Sequence, residues 1–307
     1  MAAGPNASRS IAVRRIGKHL GAEIAGVDLS APLPDAVFAQ LASAFFDNQV
    51  VVFRGQRLRP AEQVAFTRRF GELEQHVRKE SRLEGHPEIL VVSNLLDDSG
   101  KPIGVQDAGR FWHSDLSYKA QPSLLSALYA LEVPVREGRV LGDTGFRSCT
   151  AAYDALAPEM KRRLEGLQAV HSYRYYRGRN AGAQREDAAR GGRKVHEHVP
   201  SAAQLATVPD VASPVVRTHP VTGRKGLFVN EAHTSEIVGM GRAESDALLG
   251  ELYLQIAKPE FGYTHRWQPG DLLMWDNCST QHKATFDYDL PLRRLMYRTT
   301  VRGPAPS

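Results

Sequence analysis

The segment HRWQPGDLLMWDN, residues 265–277, does most to limit the folds open to this chain. It has the pattern of a short strand, a Pro-Gly-Asp turn and a second, apolar strand, DLLMW, with the character of a buried strand. Other short strands bounded by turn residues follow from residue 88 onward, and the chain closes with the β-rich segment RRLMYRTTVRG. This pattern predicts a mainly β fold with a sandwich or jelly-roll core.

A few helices are predicted to flank this core. PDAVFAQLASAFFDN has an apolar face at helical spacing, and PAEQVAFTRRFG begins with proline and ends with glycine. Two more helices are predicted at AAYDALAPEMKRRLEGL and AESDALLGELYLQIA. A doubly wound α/β fold fits less well, because no glycine-rich phosphate loop follows the early strands.

No repeat or linker divides the 307 residues, so we expect a single domain over residues 11–303 after a disordered lead at residues 1–10. No run of about 18 apolar residues is present, which argues against a membrane span. The first ten residues also lack the apolar core of a signal peptide. Cys149 and Cys278 are the only cysteines and do not suggest a disulfide framework, so we expect a cytoplasmic protein.

The net charge of +5 is modest, but basic residues are concentrated in one segment. Between residues 174 and 194, seven arginines and lysines accompany two acidic residues. Such a segment is either a solvated, glycine-rich surface loop or a mobile lid that attracts an anionic substrate. We predict a basic lid around residues 174–198. Nucleic acid is not expected as a partner, since no zinc-finger, RRM or helix-turn-helix pattern is present.

The segment FWHSDLSY, residues 111–118, contains a candidate pair of metal ligands. On an extended strand, residues two apart point to the same face, so His113 and Asp115 could reach one metal ion. Two imidazoles and one carboxylate that leave other positions open form the ligand set of non-haem Fe(II) oxygenases. The alternative is a polar strand end that carries a histidine by chance.

The third ligand would have to be a distant histidine. His282 is the strongest candidate because it closely follows the buried strand DLLMW, whereas His265 is equally suited to a core or rim position. The other histidines are possible pocket-lining residues or have weaker local context: His171, His219 and His233 in the first group, and His19, His76, His86, His196 and His198 in the second. His196-Glu197-His198 is another tight metal-type pair, but it has no partner at a matching spacing.

A 2-oxoglutarate enzyme also needs a cation for the far carboxylate of this co-substrate. Arg294 lies twelve residues beyond His282, and Arg298 lies about 13 Å further along the same strand face at ~3.3 Å per residue. One arginine could bind the co-substrate and the other a second anion. Alternatively, these arginines and Arg293 belong to a charged edge strand, although alternation places Arg293 and Arg294 on opposite faces.

In combination, these motifs resemble the taurine dioxygenase / 2,4-dichlorophenoxyacetate dioxygenase family of Fe(II)- and 2-oxoglutarate-dependent oxygenases. The similarity covers nearly the whole chain, and its most specific parts are VVFRGQ, WHSDLSY, GDTGF, VVRTHPVTGRKGLFVNEAHTSEIVG and WDN…QHKA…RR…R. The resemblance implies a double-stranded β-helix (jelly-roll) core. It further implies that His113, Asp115 and His282 are the catalytic Fe(II) ligands.

The same resemblance implies the roles of three further residues. Arg294, assisted by Thr144, would bind the C5 carboxylate of 2-oxoglutarate, and Arg298 would bind an anionic group of the substrate. The implied reaction uses O2, converts 2-oxoglutarate to succinate and CO2, and hydroxylates the substrate. Asp115 favours hydroxylation, because relatives that halogenate have a small residue at this position.

The implied substrate is a small organic anion such as a sulfonate, sulfate ester, phosphonate or aryloxyalkanoate. His76 matches a histidine that contacts the sulfonate in the taurine-cleaving members. Lys79 and His233 stand where those members have a tyrosine and a pocket phenylalanine, and Gly109 replaces an asparagine. These differences argue against taurine itself but keep a cationic pocket.

Two alternatives stay open. One is a biosynthetic hydroxylase of an amino acid or peptide-like intermediate on the same scaffold, and the other is a non-catalytic jelly roll that binds a ligand. Relatives form dimers or tetramers, so the resemblance implies a homodimer or homotetramer.

Overall fold

The computed structural model describes residues 10–106, 108–189 and 201–307. This part of the chain is mainly β with flanking helices, as the turn-bounded strands predict. The helices in chain order are α1 (Asp35–Asn48), α2 (Pro60–Arg68), α3 (Cys149–Asp154), α4 (Pro158–Leu164), α5 (Tyr173–Ala189), α6 (Ala202–Ala206) and α7 (Arg242–Ala257). Two short 3-10 turns lie at Lys79–Ser81 and Pro259–Phe261.

The strands in chain order are β1 (Ala12–Arg15), β2 (Ala22–Ala25), β3 (Val50–Phe53), β4 (Arg82–Leu83), β5 (His86–Ser93), β6 (Ser123–Glu132), β7 (Val135–Arg136), β8 (Arg139–Val140), β9 (Thr144–Ser148), β10 (Gln168–His171), β11 (Val211–Pro214), β12 (Val216–Thr218), β13 (Lys225–Leu227), β14 (Thr234–Ile237), β15 (Gly262–His265), β16 (Leu272–Asp276), β17 (Thr280–Ala284) and β18 (Leu295–Arg302). Eight of them form a large sheet in the order β1-β2-β3-β16-β6-β18-β5-β4, and three form a small sheet in the order β15-β9-β17.

The Pro-Gly-Asp turn carries the chain from one sheet to the other. Its two flanking strands are present as predicted, but they do not pair with each other. β15 is hydrogen-bonded to β9 in the small sheet, whereas β16 lies between β3 and β6 in the large sheet. The turn therefore brings an edge of the small sheet over the centre of the large one.

The central strands of the large sheet are apolar on both faces because each face is covered. On β16, Leu272 and Met274 pack in the cluster that includes Leu41 and Phe45 of α1. Leu273 and Trp275 point the opposite way and pack against residues that include Phe146 of the small sheet. Burial on both faces explains why this strand reads as a continuous apolar run rather than an alternating one.

Two local predictions are wrong. The segment FWHSDLSY is not a strand: His113 makes an isolated β-bridge, and the chain then turns, with Leu116 at φ 56°. The basic segment is not a loop over residues 173–189, where it forms α5. The rest of the predicted lid, residues 190–198, and residues 1–9 of the predicted lead lie outside the described residues.

None of the helices in the described ranges combines the length and apolar character needed to cross a bilayer. α5, the longest of them, is rich in arginine.

We expect Leu273→Ala to lower the free energy of unfolding by about 2–5 kcal/mol, because it leaves a cavity between the two sheets. Leu273 is fully buried there, between Val52 and Leu128 on the neighbouring strands. Leu254→Ala on α7 is the matched control, since Leu254 is 75% exposed and its loss should cost less than about 0.5 kcal/mol. Urea denaturation, monitored with two independent spectroscopic probes, measures the free energy of unfolding of both variants. Equal losses would contradict the placement of Leu273 between the two sheets.

Candidate active site

His113 and His282 are held side by side by their own backbones. The His113 N–H donates to the His282 carbonyl (3.2 Å), and the His282 N–H donates to the His113 carbonyl (2.9 Å). His282 lies on β17, where it pairs with Phe146 of β9, so the small sheet sets its position. The two imidazole rings consequently lie with centroids 4.1 Å apart.

Asp115 is positioned by polar side chains of the large sheet. Its backbone N–H donates to Asn277 Oδ1 (3.0 Å), and Asn277 Nδ2 donates to the Ser126 hydroxyl (3.1 Å). Ser126 in turn donates to Asp115 Oδ2 (2.7 Å). Asn277 directly follows β16 and Ser126 lies on β6, so the carboxylate depends on adjacent strands of one sheet.

The three predicted ligands converge. One potential ligand atom from each of His113, Asp115 and His282 lies within 4.8 Å of the others, and all three residues are buried. His282 Nδ1 is buried without a hydrogen-bond partner in the described structure. Two neutral imidazoles and one carboxylate suit a divalent transition metal such as Fe(II).

The charge states in the triad also suit a metal. Burial lowers the pKa of His113 and His282, so both rings are neutral near pH 7. Burial opposes ionisation of Asp115, but the adjacent Arg298 guanidinium, assisted by the Ser126 hydroxyl that donates to Oδ2, outweighs it and holds the pKa of this carboxyl well below its usual range. Arg298 Nη1 donates to Asp115 Oδ1 (2.9 Å).

Arg294 is buried in a separate polar niche. Its Nη1 donates to the Tyr288 hydroxyl (3.1 Å), while Nε and Nη2 contact the Met296 sulfur, each at 3.3 Å. The guanidinium lies 5.9 Å from the Trp267 ring centroid, and Trp267 Nε1 donates to Thr144 Oγ1 (3.0 Å). No carboxylate of the described residues lies within ion-pair distance of Arg294, which leaves a buried cation available to an anionic ligand.

His113 and Asp115 of the triad line a cavity that also has basic and aromatic side chains. Its lining residues are His76, Arg78, Leu90, Val105, Ala108, Gly109, Arg110, Phe111, His113, Asp115, Leu116, Tyr118, Tyr173, Tyr176, Ala232, His233 and Arg298. The predicted substrate residues His76, His233 and Arg298 are therefore together, and Tyr118 and Tyr176 each lie 5.0 Å from the His233 ring.

His233 is buried among these aromatic rings. Its N–H and Nδ1 face Asn230 Oδ1 at 2.9 and 3.2 Å. Burial, reinforced by the nearby His113 and His171, lowers the pKa of His233 well below its ordinary value. It is therefore a neutral wall residue rather than a cation.

Lys79 does not line this cavity. It is exposed at the start of the 3-10 turn, and its neighbour Arg78, which sequence comparison did not single out, is buried and lines the cavity instead. Gly109 also lines it. A Cβ at Gly109, where φ is +89°, would approach the Ala284 Cβ to 3.3 Å, so the loop backbone needs glycine there.

Helix α5 covers the loop that precedes the triad. Arg110 forms an ion pair with Asp187 of α5, and the Arg179 guanidinium lies 4.7 Å from the Phe111 ring centroid. Arg179 also donates to the Glu231 carbonyl (2.7 Å). Together with Tyr173 and Tyr176, these contacts make α5 one wall of the cavity.

The other histidines considered as ligands make contacts that serve the packing of the fold rather than the triad. His265 Nε2 lies 3.0 Å from Asp271 and its Nδ1 lies 3.0 Å from the Tyr263 hydroxyl. His171 is buried against Phe228. His196-Glu197-His198 lies outside the described residues.

His219 lies in a second compact group with Asp276 and Cys278. Its Nδ1 accepts the N–H groups of Val221 and Thr222, each at 3.0 Å. Its Nε2 therefore carries the proton and donates to Asp276 (2.8 Å), so neither ring nitrogen offers a lone pair to a metal.

Comparison with known proteins identifies the family. The model of the taurine catabolism dioxygenase TauD, TfdA family matches residues 12–300. Pentalenolactone F synthase of Streptomyces avermitilis is 33% identical over 96% of this chain and 94% of its own. The alpha-ketoglutarate-dependent 2,4-dichlorophenoxyacetate dioxygenase of Cupriavidus pinatubonensis is 34% identical over 96% and 99%. The crystal structure of AAD-2 with Mn(II) and N-oxalylglycine superposes with a TM-score of 0.78 at 32% identity, covering 97% of this chain and 99% of that one. The chain belongs to the TauD, TfdA family and is an Fe(II)- and 2-oxoglutarate-dependent dioxygenase.

Proposed function

We propose that this dioxygenase hydroxylates a small organic anion such as a sulfonate, sulfate ester, phosphonate or aryloxyalkanoate. The observation that carries the proposal is the buried His113, Asp115 and His282 triad beside a cavity that also contains Arg298. The similarity to a 2,4-dichlorophenoxyacetate dioxygenase supports an anionic substrate. We also propose that the large and small sheets form the two walls of a jelly-roll core around this site.

In this proposal, His113, Asp115 and His282 would hold Fe(II), and the bound metal would supply the O2 chemistry by which 2-oxoglutarate is converted to succinate and CO2 and the substrate is hydroxylated. Arg294 and Thr144 flank the Trp267 indole and bind the far carboxylate of 2-oxoglutarate. Arg298 orients the anionic group of the substrate while it stays in contact with Asp115. The aromatic side of the cavity, with Tyr118 and Tyr176, excludes water from the apolar part of the substrate.

His76 assists Arg298 as a neutral hydrogen-bond donor. Burial, with the nearby Arg298 and Arg78, lowers the pKa of His76 to about 3. Its Nδ1 accepts the Arg78 N–H (3.2 Å), so the ring proton resides on Nε2. A donor at this position is suited to an oxygen of the substrate anion.

A biosynthetic hydroxylase is the second candidate, and the similarity to pentalenolactone F synthase supports it. A binding protein without catalysis does not fit the complete triad and the family membership. A substrate screen that follows succinate formation separates the first two candidates. The homodimer or homotetramer, the cytoplasmic location and a lid motion over residues 174–198 stay predictions.

We expect the anaerobic protein with Fe(II) and 2-oxoglutarate to develop a weak visible metal-to-ligand charge-transfer band. His113→Ala should abolish the band, because it removes one of the three metal ligands. His86→Ala, at the start of β5 and outside the triad, should leave it unchanged. The absence of a band in the unaltered protein would refute the proposed function.

We expect Arg294→Ala to weaken 2-oxoglutarate binding by roughly tenfold or more, since a charge-assisted contact contributes ~1.5–3 kcal/mol. Arg298→Ala should change this affinity by less than about threefold and raise the substrate KM instead. Arg293→Ala is the control for Arg294, because Arg293 is exposed and bonded to Glu132. Titration of the charge-transfer band measures all three, and similar losses for Arg294 and Arg298 would contradict the division of roles.

We expect Co(II) affinity to fall less than about threefold between neutral pH and about pH 6. Two exposed histidines of ordinary pKa, 6.5, would lose roughly tenfold or more over this range, because only neutral imidazole binds a metal. Burial lowers the pKa of both His113 and His282, so both stay neutral as the pH falls through 6.5. The Co(II) visible spectrum gives the affinity at each pH, and a steep loss would mean that the two rings titrate normally.

A further inference from the structure

Two buried arginines line the active-site cavity, and among the described residues only one of them has an anionic partner. Arg78 and Arg298 are each 9% exposed and both line the cavity. Arg298 donates to Asp115, whose carboxylate is also the proposed metal ligand. No carboxylate of the described residues lies within ion-pair distance of the Arg78 guanidinium, and Arg298 Nε is buried without a hydrogen-bond partner.

The backbone segment that carries Arg78 is held in place by hydrogen bonds to the rest of the fold. The chain ahead of it follows β18: Leu73 bridges Val301, and the Glu74 N–H donates to the Thr300 carbonyl (2.8 Å). Arg82 Nε then donates to the His76 carbonyl (2.8 Å), which closes the turn that carries Arg78. This pairing holds the segment that carries Arg78 beside β18, the strand that carries Arg298.

The other titratable groups of the cavity do not offset these two charges. Arg110 is already paired with Asp187 of α5. His76 is neutral, since its Nδ1 accepts the Arg78 N–H (3.2 Å) and therefore carries no proton. Outside the lining of this cavity, Lys119 and Arg302 share Glu74.

The cofactors of the proposed function do not offset them either. The charges of Fe(II) and Arg294 are balanced by Asp115 together with the two carboxylates of 2-oxoglutarate. Arg78 and Arg298 then remain as two buried positive charges. Arginine stays protonated when buried, and an unpaired buried charge is costly, so an anion that pairs with these guanidinium groups is bound favourably.

We propose that the substrate of this dioxygenase is a doubly charged organic anion, bound by Arg78 and Arg298 together, with its apolar part against Tyr118 and Tyr176. The proposal rests on the proposed function and narrows its substrate class. The two charges reside on one phosphonate-type group or on two carboxylates. Arg78 is a specificity residue in this arrangement, whereas Arg298 serves any anionic substrate.

Phenylphosphonate and benzenesulfonate form a matched pair of probes, because they have similar shapes but the phosphonate is doubly charged above its second ionisation. Calorimetry on the protein loaded with Mn(II) and N-oxalylglycine measures the affinity for each probe. We expect at least about tenfold tighter binding of phenylphosphonate, which is ~1.4 kcal/mol. Phenylmalonate tests the second source of a double charge, two carboxylates on one molecule.

Arg78→Gln should reduce the preference for the dianion to within about threefold and leave benzenesulfonate affinity within about threefold of the unaltered protein. Arg78→Lys keeps the charge and should retain part of the preference. Lys79→Gln removes the same charge one residue away, at an exposed position outside the cavity, and should keep the preference. Unchanged N-oxalylglycine affinity in each variant shows that the site is still folded.

Three results would overturn the inference: equal affinity for the two matched probes, an undiminished preference in Arg78→Gln, or no binding of either dianion at millimolar concentration. Each of these leaves the proposed function intact if Mn(II) and N-oxalylglycine still bind. Failure to bind Mn(II) and N-oxalylglycine would instead refute the proposed function, and the inference with it.

Discussion

The paired backbone hydrogen bonds between His113 and His282 are the contact on which the site depends. They fasten the loop before β6 to β17 of the small sheet, and they do so at the two residues whose imidazoles must meet. Asp115 is held from the opposite side through Ser126 and Asn277 of the large sheet. The ligand set is therefore assembled by both sheets, and it is preorganised because backbone pairing positions both histidines and side-chain hydrogen bonds orient Asp115.

The sequence predicted the regular elements well because their signals are local. The apolar run of β16 and the helical apolar face of α1 are visible without knowledge of their neighbours. The strand prediction for FWHSDLSY was wrong because the conformation of this segment depends on residues that are distant in sequence. Its aromatic residues favour a strand, but the chain turns at Leu116 so that the Asp115 N–H can reach Asn277, which is 162 residues away in sequence. Likewise, the glycines of the basic segment suggested a loop, whereas the contacts of Arg179 and Asp187 tie it as α5 to distant parts of the chain.

In the candidate site, too, features with a local sequence signal were predicted, whereas features set by distant contacts were not. Alternation correctly predicted that Arg294 is buried and Arg293 exposed, although both residues lie just before β18 rather than on it. The His-x-Asp motif and the family resemblance identified the three residues that the structure brings together. No periodicity governs the irregular segment before β4, however. Matching by sequence position selected Lys79 there, while the buried side chain belongs to Arg78. Side-chain direction in such a segment depends on tertiary contacts, such as Arg82 bonding the His76 carbonyl, which no local pattern reveals.

Burial assigns different electrostatic tasks to the histidines and the arginines of the cavity. Desolvation keeps His76 and His233 neutral, so they shape the cavity and donate or accept hydrogen bonds without adding charge. Arginine does not respond in this way, because its pKa is too high for burial to neutralise it. In the proposed arrangement, the positive charge that meets a substrate therefore comes from Arg78 and Arg298, which both line the cavity. If the inference holds, the charge state of the substrate, rather than that of these histidines, is the variable that the cavity selects.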